Sequence, residues 1–424
     1  MTAHAFQLET RDDLIAALAR AAELEHIACC QYLFAAFSLK EPAEIARQRS
    51  LSPKLRAERA VAATEWKRTL LLIARQEMMH LGEACNLLSA LGAGPRFLRP
   101  ELPEKESLPP IPAPFELQPF GKLAIRRLKL FERGHKRAAG SAPSSAPTMG
   151  DYYRAIGRAL SRLGKHRGGS AASIFVGPPK AQVANEAFGM PARAIWYDVQ
   201  LMPVVDLKTA LRAIDRVVTQ GEGPEDGGER SHFELLEEME SAVRSATGRG
   251  NQWSPAREVA PNPIFRPRPA MTGLSLITHP ASARAASCFS IAYETLLLML
   301  TRFYSRELPD AEEMNLLRGV AFFPLMTSVI RPLGELLTQM PLSPRGTARA
   351  GATFELEPGF HELPYQRSFW SFVNERFDRM IKEARAARSI SFSGRSPAWL
   401  KRFDYLIDNL AFLARRVREF KPGS

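Results

Sequence analysis

The chain has 424 residues, is 45% hydrophobic and carries a formal net charge of +12, which is ample for a large core or two merged helical domains. Its basic residues are spread along the chain and form no nucleic-acid motif, and no stretch reaches the roughly 18 uninterrupted apolar residues of a membrane span. The start, Met-Thr-Ala-His-Ala-Phe, lacks the basic-then-apolar pattern of a secretory signal, and the spacing of Cys29, Cys30, Cys85 and Cys288 matches no zinc motif, so a reduced cytoplasmic setting is expected.

Residues 11–39 read as one long helix, with Asp12 and Asp13 near its positive end. Leu18, Ala21, Glu25, Cys29, Tyr32 and Ala36 form one stripe at 3–4 spacing, which puts Glu25 mid-helix among apolar neighbours. Glu23 falls on another face, and Cys29 and Tyr32 read as core packing rather than cavity lining. Residues 55–92 predict a second long helix, ended by Gly92-Ala-Gly-Pro95. It carries Arg75-Gln-Glu-Met-Met-His-Leu81. Glu77 and His80 lie three apart, share a face and can reach one metal ion. Trp66, Leu70, Ile73, Ala84 and Leu87 lie on that face too. The pair therefore points into a core, where a charge is costly unless paired or metal-bound.

Residues 99–119 read as a proline-rich loop, 120–134 as a short basic helix, 136–148 as a flexible break and 149–163 as a further helix. An irregular insert follows at 164–205, with short strands expected at 173–176 and 194–197. Helix returns at 206–220 behind an Asp206 cap and again from Ser231-His232 to about 245. A proline-rich connector at 249–280 leads to helices at 281–305, 311–340 (interrupted at Pro324 and Pro332), 365–388 and 396–419, with an extended piece at Gly351–Leu356. The expected fold is mostly α: a helical bundle at 1–248 and a helical region at 281–424 packed on it.

A dinuclear site in a helix bundle draws about four carboxylates and two histidines from four helices, with Glu-x-x-His as its signature. Glu25, Glu77 and His80 supply one half. The other must come from Glu132, Asp151, Glu222, Glu229 and His232. Glu229-Arg-Ser-His232 repeats the Glu-x-x-His spacing, though Glu229, flanked by charge, also suits a helix N-terminus. The turn at 221–230 brings Glu222 and His232 to the same end of a hairpin. His26, His135, His166, His279 and His361 read as surface or structural. Glu294, a lone acid on a strongly apolar helix, is expected to pair with Arg284 or Arg302. Such a donor set suits one or two iron ions, with manganese as the alternative, and leaves positions open for O2. Arg230 and Arg75 are candidates to hold a substrate carboxylate.

Several stretches together resemble the ferritin-like domain of the iminophenyl-pyruvate dimer synthases, enzymes of violacein- and rebeccamycin-type bisindole pathways. They are Ala22-Glu-Leu-Glu-His26 with Tyr32-Leu-Phe, Gln76-Glu-Met-Met-His-Leu81 with Asn86-Leu-Leu-Ser-Ala-Leu-Gly92, Phe131-Glu132, Thr148-Met-Gly-Asp-Tyr-Tyr153, Gln220-Gly-Glu-Gly223 with Ser231-His-Phe233, Pro332-Leu-Gly and Gly351-Ala-Thr-Phe-Glu355. The resemblance runs in order through residues 11–380. It implies a ferritin-like bundle with a non-haem iron site, ligated by Glu25, Glu77, His80, Glu132, Glu222 and His232, and oxidative chemistry on an amino-acid-derived substrate in secondary metabolism. Two departures stand out. Cys29-Cys30-Gln31 replaces the prolines that the family tends to have before the tyrosine, and the dimer synthases are much longer. A different O2-dependent oxidation is therefore expected in place of imine dimerisation, with a non-catalytic metal-binding or storage protein as the competing class. The expected partner is a small molecule, carboxylate-bearing or carrier-bound, with no nucleic acid and no membrane. A homo-oligomer is compatible with the sequence.

Overall fold

The first long helix begins where the sequence supplies a reciprocal cap. Thr10 Oγ1 accepts the Asp13 N–H and Asp13 Oδ2 accepts the Thr10 N–H, which satisfies two of the four N–H groups that a helix start leaves open. In the computed structural model, which describes residues 6–99, 101–103, 110–111, 115–134, 147–164, 174–185, 200–223, 230–247, 253–304, 310–357, 366–392 and 396–420, this helix is α1 (Arg11–Ser38). A short α2 (Pro42–Ala46), unforeseen in the sequence reading, starts on its own Pro42 and Glu41–Glu44 cap. Then come α3 (Pro53–Ala90), α4 (Lys122–Glu132), α5 (Met149–Gly164), α6 (Leu207–Glu222) and α7 (His232–Ala246). Gly92 adopts φ +74° after α3, a left-handed conformation that closes the helix and favours glycine.

α1 and α3 pack along each other as the central pair. α4 with α7, and α5 with α6, lie against them. α1 is buried almost all round from Ala21 to Phe37, so it acts as the axis of the bundle rather than as one of its walls. α4 and α5 are separated by residues 133–148, and α6 and α7 by residues 223–231. Glu132 is the last residue of α4, Glu222 the last of α6 and His232 the first of α7.

The described part of the 164–205 insert contains no strand. Ile174–Val176 lies against the end of α3, where the Gly177 N–H donates to Ala90 O at 2.9 Å. Asn86 grips Val183 through both its amide atoms, at 2.8 and 2.9 Å, and Ser89 Oγ donates to Ala181 O at 2.8 Å. The backbone groups that a strand would need are taken by these bonds. The expected strand at 194–197 lies outside the described residues.

The C-terminal region comprises α8 (Pro280–Phe303), α9 (Ala311–Leu317), a π-helical stretch (Arg318–Ile330), α10 (Arg331–Leu337), α11 (Gln366–Ser389) and α12 (Pro397–Glu419). The interruption expected at Pro324 is a change of winding instead. Pro324 has no N–H to give, and the wider π turn accommodates its ring. Pro332 sits in the first turn of α10, where a missing N–H costs nothing. A two-residue parallel pair, β1 (Pro263–Ile264) and β2 (Ser275–Leu276), lies in the connector. One apolar cluster runs from α1, α3, α5 and α6 through α8, α11 and α12. A second, around Trp66, Phe120 and Trp253, closes the other side of the bundle. The stretches Pro280–Phe303 and Ala311–Leu337 are long and apolar enough to cross a membrane, and 78% and 53% of their most apolar windows are buried inside this fold.

Candidate metal centre

Five of the residues singled out in the sequence meet at one point in the bundle. Glu25, Glu77 and His80 offer donor atoms that lie within 4.8 Å of one another, and so do Glu77, Glu132 and His232. Glu77 belongs to both groups. His80 Nδ1 stands 3.3 Å from Glu77 Oε1 and 3.7 Å from Glu25 Oε2. His232 Nδ1 stands 3.0 Å from Glu77 Oε1 and 3.3 Å from Glu132 Oε2. Donors bound about 2.1 Å from one ion stand about 3 Å apart at right angles, so these spacings need little adjustment. The five residues arrive from four helices: α1, α3, α4 and α7.

The surroundings of the two groups match. Tyr153 O–H donates to Glu25 Oε1 at 2.7 Å, and Tyr32 O–H donates to Glu132 Oε1 at 2.8 Å. His80 Nε2 faces Gln220 Oε1 at 2.9 Å, and His232 Nε2 faces Gln76 Oε1 at 3.0 Å. A proton on each Nε2 leaves both Nδ1 lone pairs turned toward the carboxylates, the arrangement that metal-binding histidines need. The tyrosines and glutamines come from α1, α3, α5 and α6, so each half has the same composition from different helices.

The fit to a cation can be judged from the carboxylate oxygens. Glu25 Oε2 and both oxygens of Glu77 are buried and accept no hydrogen bond. The imidazole nitrogens stand 3.0 and 3.3 Å from Glu77 Oε1 without a hydrogen bond to it. Buried carboxylate oxygens without donors are costly, and a cation between these groups would satisfy all three at once. The residues present therefore fit a metal ion, and the shared Glu77 fits two.

Electrostatics follow from burial and crowding. Burial and the Glu77 charge raise the Glu25 carboxyl to about 8. Burial, then Glu77, raises Glu132 as well. Burial alone would lower His232, but the Glu132 and Glu77 carboxylates outweigh it and bring the ring to about 9. His80 is likewise held well above its ordinary value by Glu25 and Glu77, while burial, which would raise Glu77, is outweighed by the two imidazoles, which lower it.

The other sequence candidates fall elsewhere. Glu222 lines the same cavity of about 20 Å³, but its carboxylate is spent on the start of α5. It accepts from Thr148 Oγ1 at 2.6 Å, from the Gly150 N–H at 3.1 Å and from Arg154 Nη2 at 2.8 Å. Asp151 accepts the Thr148 N–H at 3.0 Å and faces Arg154 at 3.7 Å, a helix-start role. Glu229 lies outside the described residues, as do His135, His166 and His361. His26 is a buried structural histidine bonded to Tyr293 O–H. Glu294 pairs with Arg376 of α11 rather than with Arg284 or Arg302, whose partners are Glu383 and Glu313. Periodicity placed Glu294 inside the core but could not say which later helix would face it. Arg230 pairs with Glu238 at the surface. Sequence reading missed Gln76, Gln220, Tyr153 and Arg154. The only signal was that Gln76 and Gln220 stand beside candidate ligands.

A 27% identical relative, dichlorochromopyrrolate synthase of Lentzea aerocolonigenes, aligns over 96% of this chain and 41% of its own length. The 2-imino-3-(indol-3-yl)propanoate dimerase of Chromobacterium violaceum is also 27% identical, over 79% of this chain and 33% of its own. The chain thus spans about two fifths or less of the length of these curated relatives. Among solved structures, a ferritin-like protein from Caulobacter vibrioides aligns over 74% of this chain and 94% of its own, at 18% identity and a TM-score of 0.41. The Ferritin-like family model matches residues 18–241, more than half of the chain and the whole span from the first helix to the histidine of the last bundle helix. This chain belongs to the Ferritin-like family.

Proposed function

We propose that the chain holds a dinuclear non-haem iron centre and uses it with O2 to oxidise a small amino-acid-derived acid in secondary metabolism. The observation that carries this reading is the shared Glu77: two carboxylate–histidine groups meet on one buried side chain whose oxygens have no other partner. Glu25 and His80 would hold one ion, Glu132 and His232 the other, with Glu77 between them; manganese is the alternative occupant. Bound iron would supply the electrons that reduce O2.

The chain's own groups set the conditions for that chemistry. Tyr153 and Tyr32 orient the outer carboxylates and hold protons at Glu25 Oε1 and Glu132 Oε1. Gln220 and Gln76 fix the histidine tautomers. The apolar residues Phe131, Met149, Val217 and Val218 line the cavity and keep bulk water out. The substrate class is supported by the name of one relative, a 2-imino-3-(indol-3-yl)propanoate dimerase, and by Arg154, which pairs with the cavity-lining Glu222. The chain spans two fifths or less of those relatives, so the oxidation alone, and not their whole activity, is proposed here.

Metal analysis of protein from iron-supplemented cells should give about two irons per chain. Anaerobic Fe(II) protein mixed with O2 should then consume an aromatic 2-oxo or 2-imino acid with substrate-dependent kinetics. Protein that takes up no metal would sink the reading. Iron oxidation that ends in a mineral core, with no substrate consumed, would replace it with storage.

A further inference from the structure

The cavity at the metal centre, about 20 Å³, has room for a single water-sized species. No organic substrate fits it. A much larger groove of about 590 Å³ lies between α5 and α6, lined by Arg154, Gly157, Arg158, Ser161, Arg162 and Leu211. It is shallow and open to solvent. Arg154, Arg158 and Arg162 follow one another at four-residue spacing and so line one side of it, and Gly157 and Leu211 contribute an apolar floor. Arg162 donates to Leu8 O. Arg158 is exposed and has no acidic partner among the described residues.

One ion pair stands between groove and cavity. Arg154 lines the groove, Glu222 lines the cavity, and the two meet at 2.8 Å. The Glu222 side chain is 8% exposed, and that of Arg154 is 38% exposed. Glu222 passes between glycines: a Cβ on Gly150 would lie 2.3 Å from its carboxylate, and one on Gly134 would lie 3.0 Å from its Cβ. A carboxylate thus already occupies Arg154 from the inner side, while the same guanidinium faces the groove on the other.

We propose that the α5–α6 groove binds a carboxylate-bearing organic anion through Arg154 and Arg158, and that this anion takes the place of Glu222 on Arg154. The inference deepens the function proposed above by naming where its acid substrate docks. Guanidinium binds carboxylate through two parallel N–H donors, so the incoming anion offers Arg154 what Glu222 now offers. Thr148 Oγ1 and the Gly150 N–H keep Glu222 from being left without a donor once Arg154 turns away. The apolar floor selects an anion with an organic body over a bare one.

Calorimetric titration of the metal-free full chain with indole-3-propanoate, its primary amide and inorganic phosphate tests this. The carboxylate should bind, and the amide and phosphate should bind at least about tenfold more weakly, since each lacks either the charge or the apolar body. Arg154→Gln should weaken the carboxylate about tenfold or more, and Arg158→Gln, at a side chain with no acidic partner among the described residues, about threefold. Glu222→Gln should tighten it about threefold or more, because the competing charge is gone. A merely structural Arg154–Glu222 pair would shift the melting temperature in both variants and leave the affinity unchanged, which would overturn the proposal. Equal binding of the amide or of phosphate, or no carboxylate binding at millimolar concentration, would overturn it too. Metal analysis of the same proteins after loading with Fe(II) separates the two readings: metal uptake with unaltered anion affinity sinks only this one, and anion binding by a chain that takes up no metal sinks only the other.

Discussion

Glu77 has no hydrogen-bond donor of its own, and everything around it is arranged to tolerate a charge there. Replacing it by glutamine keeps the volume and removes the charge that both groups share. Iron content in Glu77→Gln should fall from about two ions per chain to less than about half an ion, whereas Glu222→Gln, whose carboxylate serves the start of α5, should keep its metal. Mass-spectrometric metal analysis of the two variants grown side by side decides this, and equal loss in both would contradict the shared-ligand geometry. Glu25, Glu77 and His80 were legible because periodicity alone puts them on buried faces of long helices. Glu132 and His232 were harder to isolate, since they stand at helix ends where several acids compete and facing cannot be read from spacing. Gln76, Gln220, Tyr153 and Tyr32 were illegible as site residues. Gln220 faces His80 from 140 positions away, and Tyr153 faces Glu25 from 128, distances in sequence that no local pattern records.

α4, α5 and α6 end or begin at the level of the centre, where Gly150 and Gly221 line the cavity. α4 stops at Glu132 and α5 begins with Met149 and Gly150; α6 stops at Glu222. Gly150→Ala would drive a methyl group into the Glu222 carboxylate, 2.3 Å away, whereas Gly157→Ala meets only Ile214 and Leu211 at 3.5 and 3.6 Å. The first substitution should destabilise by about 1–3 kcal/mol. The second should be neutral or stabilise by up to about 1 kcal/mol, since alanine is the better helix former. Thermal melts of the two variants check the contrast, and equal melting temperatures would mean that α5 shifts freely past Glu222. Helix positions were the most legible feature of the sequence, because caps such as Thr10–Asp13 and Asp206–Thr209 mark their starts. The π-helical stretch was not legible, since Pro324 signals an interruption but not how the chain absorbs it. The 173–176 stretch was misread as a strand because Ile, Phe and Val suit strands, while the described part of it runs against the end of α3, where the next residue, Gly177, bonds Ala90 O.

Across the whole molecule, charge and proton balance at the centre couple to stability. Glu25, raised to about 8, and His232, raised to about 9, bind protons more tightly in the folded chain than in the unfolded one. The folded state therefore holds extra protons around neutrality. The stability due to His232 is complete below about 6.5 and lost as pH rises toward about 9, and the cost of ionising buried Glu25 grows over the range from about 4.5 to about 8. Both have the same sign. The melting temperature of the metal-free chain should fall by several degrees, about 4 °C or more, between pH 7 and pH 9. Loading with Mn(II), which replaces those protons, should flatten the slope; a metal-free chain that is equally stable at both pH values would refute it. The packing of the C-terminal helices onto the bundle was expected, but the buried pairs that join α8 to its neighbours, Glu294–Arg376 with α11 and Arg302–Glu313 with α9, were not, because each needs the final arrangement of those helices.

α1 is buried almost all round from Ala21 to Phe37, and this sets a clock as well as a structure. An ion held in part by Glu25 of that helix would leave only when the bundle loosens. Metal exchange should then proceed at the rate of that opening, independent of chelator concentration, and should match the amide hydrogen exchange of residues 21–37 in the same buffer. Exchange that accelerates in proportion to added chelator would mean a route to the ions that bypasses the helix. In the cell, such a clock would make the chain commit to the metal that is abundant while it folds, and keep it.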